Sequence, residues 1–169
     1  MLKLYNSLLK KWGDPVNYWP EWCAEEKTNQ QREVVALGAI LVQRTSWHNA
    51  EIALKNLKNN GLLSIKAISL KSVDDIVSLV RVAGLYNTKP KRLIVLCQFI
   101  VEHYGVWGNF MQQDANTARE ELLTISGIGP ETADTILLYT CDKPTFVIDE
   151  YTKRFIRNNN LSINSITMV

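Results

Sequence analysis

Apolar residues along this chain recur at helical rather than strand spacing. Leu122, Ile125, Ile128, Ala133, Ile136 and Leu137 fit one helix, a tight corner and a second helix. Residues from Glu33 to Gln43 are strongly apolar and also helical. No stretch alternates with period two over any length, which argues against a sheet. The start, MLKLYNSLLKKW, reads as a short amphipathic helix over 2–11, and the Trp/Pro-rich residues 12–22 read as loop. Ser46 caps a run to about Asn59 that Gly61 ends, and residues 64–70 fit a short helix. Ser72 with Asp75 forms a capping-box pattern for 73–82, closed by Gly84. Pro90 suits the first position of a helix that runs to Tyr104 and stops at Gly105. Thr117 with Glu120 predicts the cap of the next helix, Pro130 starts another, and a last one opens at Asp149 or Glu150. The expected fold class is all-α.

The corner carries the first candidate chemistry. Gly127-Ile128-Gly129 sits between two predicted helices, and such a corner exposes N–H groups at a helix N-terminus that bind phosphate. Asp149 follows behind the apolar pair Val147-Ile148. A carboxylate held near a phosphate grip can act on a nucleotide. Each feature also has a plainer reading. Glycine relieves the left-handed strain at any helix end, and Asp is a common helix N-cap.

Composition narrows the setting. At 169 residues the chain forms one domain, or one plus a fragment. No apolar run reaches membrane-span length, and the N-terminal residues lack a secretory pattern. A cytoplasmic location is expected, with no membrane partner. Three scattered cysteines, Cys23, Cys97 and Cys141, form no CxxC pair and read as buried small hydrophobes, so no metal site is expected. The net charge of +2 is weak evidence for nucleic acid. Its distribution says more. Residues 81–92 hold four bases (Arg81, Lys89, Lys91, Arg92) and no acid, whereas 102–150 hold nine acids against two bases. Lys153, Arg154 and Arg157 follow. The corner thus lies in an acidic stretch, with basic segments on either side to attract a polyanion.

Residues 122–157 resemble the helix-hairpin-helix and the following aspartate segment of the endonuclease III superfamily of DNA glycosylases. Leu41-Val42-Gln43-Arg44-Thr45-Ser46-Trp47 is similar to that family's LTQNTSW segment, with Arg44 in place of the usual Asn. Gly84-Leu85-Tyr86-Asn87-Thr88-Lys89 resembles its GLYNxK loop. The resemblance spans residues 18 to 157. It implies a helix-hairpin-helix glycosylase fold and a partner in double-stranded DNA with a damaged base. Asp149 becomes the candidate catalytic carboxylate. Gly127, Ile128, Gly129, Gln43, Leu85, Lys89, Lys91 and Arg92 become candidate DNA contacts, with Gln43 and Leu85 where family members fill the duplex gap. Tyr18, Trp19 and Trp47 become candidates for the base pocket or wedge. Alternatives stay open for each. Gln43 can cap its own helix, Leu85 can pack under its loop, and the aromatic residues can pin their segments to the core.

Position 131 divides the superfamily. Members that also cut the strand carry a lysine there, and this chain has Glu131. A carboxylate forms no Schiff base. With the Ala133–Tyr139 pattern and Tyr18-Trp19-Pro20, it resembles the 3-methyladenine branch, whose cationic bases suit an aromatic pocket. The expected activity is monofunctional base excision without strand cleavage. Alternatives are a non-catalytic helix-hairpin-helix DNA-binding module, a uracil or thymine-mismatch glycosylase, and a helical protein-interaction domain. The four iron–sulfur cysteines of many members are absent, so no cluster is expected; a monovalent cation at the hairpin is compatible with the family. Twenty residues follow Asp149, which suggests a truncated chain with an incomplete second lobe. The expected organisation is an N-terminal segment of that lobe at 1–32, a helical core at 33–146 with its hairpin motif at 117–142, and a catalytic-aspartate segment at 147–169.

Overall fold

The computed structural model describes residues 2–160. Among them the order is α1 (Leu2–Trp12), a 3₁₀ turn (Pro15–Asn17), α2 (Pro20–Cys23), α3 (Asn29–Leu41), α4 (Trp47–Asn59), α5 (Ile65–Ser69) and α6 (Val73–Val80). A second 3₁₀ turn (Arg81–Ala83) leads to α7 (Lys89–Tyr104), α8 (Trp107–Phe110), α9 (Ala115–Thr124), α10 (Pro130–Cys141) and α11 (Glu150–Asn158). The described residues contain no strand, and none of their helices is long and apolar enough to cross a membrane. Residues 161–169 of the expected C-terminal segment lie outside the described part.

Helix α3 runs through the core. Val35, Ala36, Leu37, Ala39, Ile40 and Leu41 are all buried, as expected of a helix apolar on every side. It begins earlier than Glu33. Thr28 Oγ1 accepts the Gln31 N–H at 3.2 Å while Gln31 Oε1 accepts the Thr28 N–H at 2.8 Å, a complete capping box. Helix α10 packs along α3, α7 packs on α5 and α6, and α4 packs on α6 and the second 3₁₀ turn. Trp107 and Phe110 of α8, a helix too short for the apolar period to reveal, are fully buried.

Two expectations on helix ends are corrected. Residues 12–22 are not simply loop. Asp14 caps a 3₁₀ turn, and Pro20 opens a one-turn helix because its fixed φ suits that position. Helix α9 is capped by Asp114 rather than Thr117. Asp114 Oδ1 accepts the N–H groups of Asn116 (3.0 Å) and Thr117 (3.1 Å), and the Thr117 hydroxyl donates to its Oδ2. Asp outcompetes Thr as a cap when it stands in register to meet both donors. The Ser72–Asp75 box forms as expected.

Candidate functional site

The hairpin is fixed from three sides. Arg119 of α9 meets Asp134 of α10 through Nε–Oδ1 (2.6 Å) and Nη2–Oδ2 (3.2 Å), a two-point pair that sets the angle between the hairpin helices. Ile128 is buried at the turn, and its N–H donates to Ile125 O at 3.0 Å. Ile128 is therefore an anchor rather than a DNA contact, because both its side chain and its N–H are spent inside the protein. Gly127 has φ +89°, and a β-carbon there would collide with the Arg92 side chain. Gly129 differs. It starts α10 with no side-chain cap, and a β-carbon on it would meet nothing within 4 Å. The open first turn of α10 is the part of the hairpin able to receive an anion.

Gln43 bolts the Gln43–Thr45 turn to this hairpin. Its Nε2 donates to Thr132 Oγ1 (2.9 Å) and Gly127 O (3.3 Å), and its Oε1 accepts from Arg92 Nη1. It does not cap its own helix. Arg92 is half-buried in this contact, while Lys91 points into solvent. Leu85 is well exposed in the left-handed region at φ +47°, after Gly84 at φ +73°. The N–H groups of Thr88 and Lys89 both bind Leu85 O, at 2.8 and 2.9 Å, and the resulting tight turn pushes the side chain outward. Arg44 is also left-handed at φ +55° and exposed.

Lys89 is a correction. It is fully buried, and its Nζ donates to Leu41 O (2.7 Å) and Ala83 O (2.5 Å). Burial, aided by the charge of Arg92, pushes its ammonium down to about 8. It cannot reach a phosphate. Pro90 beside it is buried too, which turns this end of α7 inward.

Asp149 caps α11. Oδ1 accepts the Thr152 N–H at 2.6 Å, and no hydrogen bond within the described residues engages Oδ2. The plain reading of Asp149 as a cap is thus true, and it still leaves one carboxylate oxygen free. The segment before it is tethered at its root. Buried Arg32 donates to Thr140 O (2.9 Å) and pairs with Asp142 Oδ2 (2.6 Å), and Asp142 itself turns left-handed at φ +52°. Glu131, in the first turn of α10, feels the charge of Asp149. Partial burial of its carboxyl, then the Asp149 charge, push it above the ordinary carboxylate range, against the opposing pull of Lys153. Burial, Cys23 and Asp149 together raise the Tyr139 phenol.

An aromatic cleft forms between α2 and the start of α4. Tyr18, Trp19, Trp22 and Trp47 line a space of about 150 Å³, with Glu21 and Glu51 also on its wall. Tyr18 and Trp19 are 61% and 50% exposed, so they do not pin their segment to the core. Trp22 meets Trp47 edge-on at 5.2 Å and Tyr139 at 5.4 Å. Gly38 of α3 makes room for both tryptophans, because a β-carbon there would lie 3.3 Å from Trp22 and 3.4 Å from Trp47. Sequence reasoning missed Trp22. Its position one turn after Trp19, across the start of α2, was the available signal. It also missed Tyr139, although that residue closes the Ala133–Tyr139 pattern. Cys97 and Cys141 are buried, Cys23 is half-buried, and all three are free thiols. Among the described residues no group of three or more His, Cys, Asp or Glu side chains is placed to hold a metal ion.

A helix-hairpin-helix followed by a capped aspartate on an all-helical core defines a class of DNA repair proteins, and the comparisons agree. The chain belongs to the HhH-GPD superfamily of base excision DNA repair proteins, which matches residues 37–167. It is 45% identical over 154 residues to a Methanocaldococcus jannaschii protein provisionally named a DNA repair glycosylase, covering 90% of this chain and 66% of that one. It is 28% identical over 120 residues to endonuclease III of Thermotoga maritima, covering 71% of this chain and 53% of the relative. The chain therefore spans between about half and two thirds of the length of these relatives. Among solved structures it is similar to the H. pylori 3-methyladenine DNA glycosylase MagIII, determined with bound 1,N6-ethenoadenine. The TM-score is 0.76 at 33% identity, covering 94% of this chain and 71% of that one.

Proposed function

We propose that this protein is a monofunctional DNA glycosylase that hydrolyses the N-glycosidic bond of an alkylated, cationic base and leaves the strand intact. The observation that carries this reading is Asp149, which caps α11 through Oδ1 and keeps Oδ2 free of hydrogen bonds among the described residues, with a glutamate rather than an amine at position 131. The open first turn of α10 at Gly129 grips a backbone phosphate, and Lys91 adds attraction. Leu85 enters the duplex, and the bolted Gln43 turn stands beside it, while the target base leaves the stack. The aromatic cleft receives that base. Tryptophan faces with Glu21 and Glu51 on the same wall favour a positive ring over a neutral one. As the base departs, positive charge builds on the sugar. The free oxygen of Asp149 stabilises it and accepts a proton from the water whose oxygen bonds to the sugar carbon, while the C–N bond breaks and the cationic base leaves neutral with the electron pair. MagIII, crystallised with an adenine adduct, lends support to a modified purine.

A monovalent cation at the hairpin fits the backbone there. The carbonyls of Ile125 and Gly127 each accept one N–H and keep a second lone pair. Such an ion would supply positive charge beside the phosphate. The organisation we infer keeps 33–146 as the core that carries the grip and the Trp47 wall of the cleft, with 1–32 supplying the cleft's Tyr18, Trp19 and Trp22 and 147–169 the aspartate.

The test is excision on duplexes carrying an alkylated purine, an etheno-adduct, uracil or a mismatched thymine, each followed by alkali. Abasic sites from the alkylated purine before the others are expected. DNA binding without abasic sites on any duplex would replace this reading with a non-catalytic binding module.

A further inference from the structure

We infer that Lys89 is a positioning residue whose single ammonium sets the spacing between two duplex-facing loops, residues 42–45 and 84–88. The inference rests on the reading above that these loops meet a damaged duplex. It explains an otherwise costly arrangement, a lysine buried entirely in the core and paired with no carboxylate among the described residues.

Nζ bridges two carbonyls that belong to separate segments, Leu41 O at 2.7 Å and Ala83 O at 2.5 Å. Leu41 ends α3, so its carbonyl is one of those the helix leaves without an internal partner. Ala83 ends the second 3₁₀ turn. Each carbonyl stands just before a loop whose tip is a non-glycine residue in the left-handed region: Arg44 at φ +55° and Leu85 at φ +47°. Both tips are exposed. Backbone strain of this kind persists only where the surroundings over-determine it. An ammonium suits the task because its three donors on a flexible stem can serve carbonyls arriving from different directions. The same contact shields the negative end of α3, directly before the Gln43 turn. The phosphate grip on α10 also has anchors of its own, the Arg119–Asp134 pair and the buried Ile128. Lys89 therefore governs the step at which the two loops enter the duplex, not the first encounter with DNA.

Lys89→Met keeps the bulk and removes the donors, and Lys89→Gln keeps an amide donor. Amide hydrogen exchange on the free proteins reads the tie without reference to activity. In Lys89→Met, residues 42–45 and 84–88 should lose protection together, with Lys89→Gln between it and the unmodified protein. Loosening of one loop alone, or of neither, would overturn the inference. In the unmodified protein the Nζ protons should exchange slowly enough to be seen by NMR near neutral pH; fast exchange would overturn it even if neither variant folds. On DNA, Lys89→Met should bind undamaged duplex like the parent yet lose about a hundredfold in single-turnover excision, the scale of a small misplacement. Equal losses in undamaged-duplex binding and excision would make Lys89 part of the grip and refute the positioning role. Absence of excision by the unmodified protein on every duplex would remove the proposed function and the role of the two loops in it, while the exchange data would still judge the tie.

Discussion

The side chain of Arg92 lies across the face of Gly127, in the space a β-carbon would occupy, and donates to Gln43, which in turn holds the Gly127 carbonyl. The first glycine of the hairpin thus serves the protein's own packing, while the second, Gly129, faces open space. The two should respond differently to the same change.

Gly127→Ala meets Arg92 and a φ of +89°, so it should lower stability by about 1–3 kcal/mol. Gly129→Ala at φ −95° should fold like the parent. If a phosphate approaches the first turn of α10, Gly129→Ala should still weaken binding to every duplex alike, because phosphate contacts carry no sequence information. Fluorescence anisotropy and urea unfolding on both variants separate the cases. Unchanged DNA affinity in a folded Gly129→Ala would make the hairpin purely structural.

This contrast marks where sequence reading stops. Helix positions followed from apolar period and caps, since Ser46, Ser72, Pro130 and Asp149 act locally. The local placement of the candidates was legible where one residue's chemistry sufficed, as for Asp149 at the cap of α11 and Glu131 in the first turn of α10. It was not legible where direction in space decides. Lys89 and Lys91 are two residues apart with the same charge, yet one is in the core and the other in solvent. The partners of Lys89 are carbonyls 48 and 6 residues away, which leave no mark in side-chain pattern. Ile128 reads the same whether its N–H points outward or back to Ile125.

The cap that Asp149 forms and the catalytic role proposed for it can be separated by substitution. Asparagine caps a helix as well as aspartate does, whereas alanine loses the cap at a cost of about 1 kcal/mol. Asp149→Asn should therefore keep the parent's unfolding midpoint and lose roughly two orders of magnitude in excision. Asp149→Ala should lose both. Binding to an abasic-site analogue should survive in Asp149→Asn. Excision at the parental rate by that variant would leave Asp149 as a cap alone.

Lys89 predicts a pH dependence of stability. Its ammonium falls from an ordinary value near 10.5 to about 8 in the folded chain. Between those values the unfolded chain holds a proton that the folded chain does not, so stability from this group rises with pH. It is fully expressed above 10.5, falls as pH drops toward 8, and is flat below. Other groups titrate alike in Lys89→Met and cancel. The stability of the parent relative to Lys89→Met should rise between pH 8 and 10.5 by an amount on the order of 3 kcal/mol. Urea unfolding of both proteins across that range reads it. A flat difference, or one that falls with pH, would show that Lys89 ionises as in water.

On the proposed reading, Glu131 sets the reaction's end point. A strand-cutting mechanism needs an amine on the sugar carbon, and position 131 offers a carboxylate instead. The product should be an uncut strand with an abasic site, broken only by later alkali or heat. Borohydride should trap no covalent protein–DNA adduct. Glu131→Lys places an amine near the sugar and removes the charge that opposes Asp149, so a small trapped fraction should appear on the same duplex. Efficient trapping by the unmodified protein would contradict the hydrolytic assignment and require another amine. Lys89 is excluded by burial. Lys153 is then the residue to test, because it lies close enough to pull on Glu131 and its ammonium pairs with Glu150 at 2.8 Å on the exposed face of α11. Lys153→Ala should abolish trapping in that event, and should leave excision unchanged if Glu131 marks a hydrolytic site.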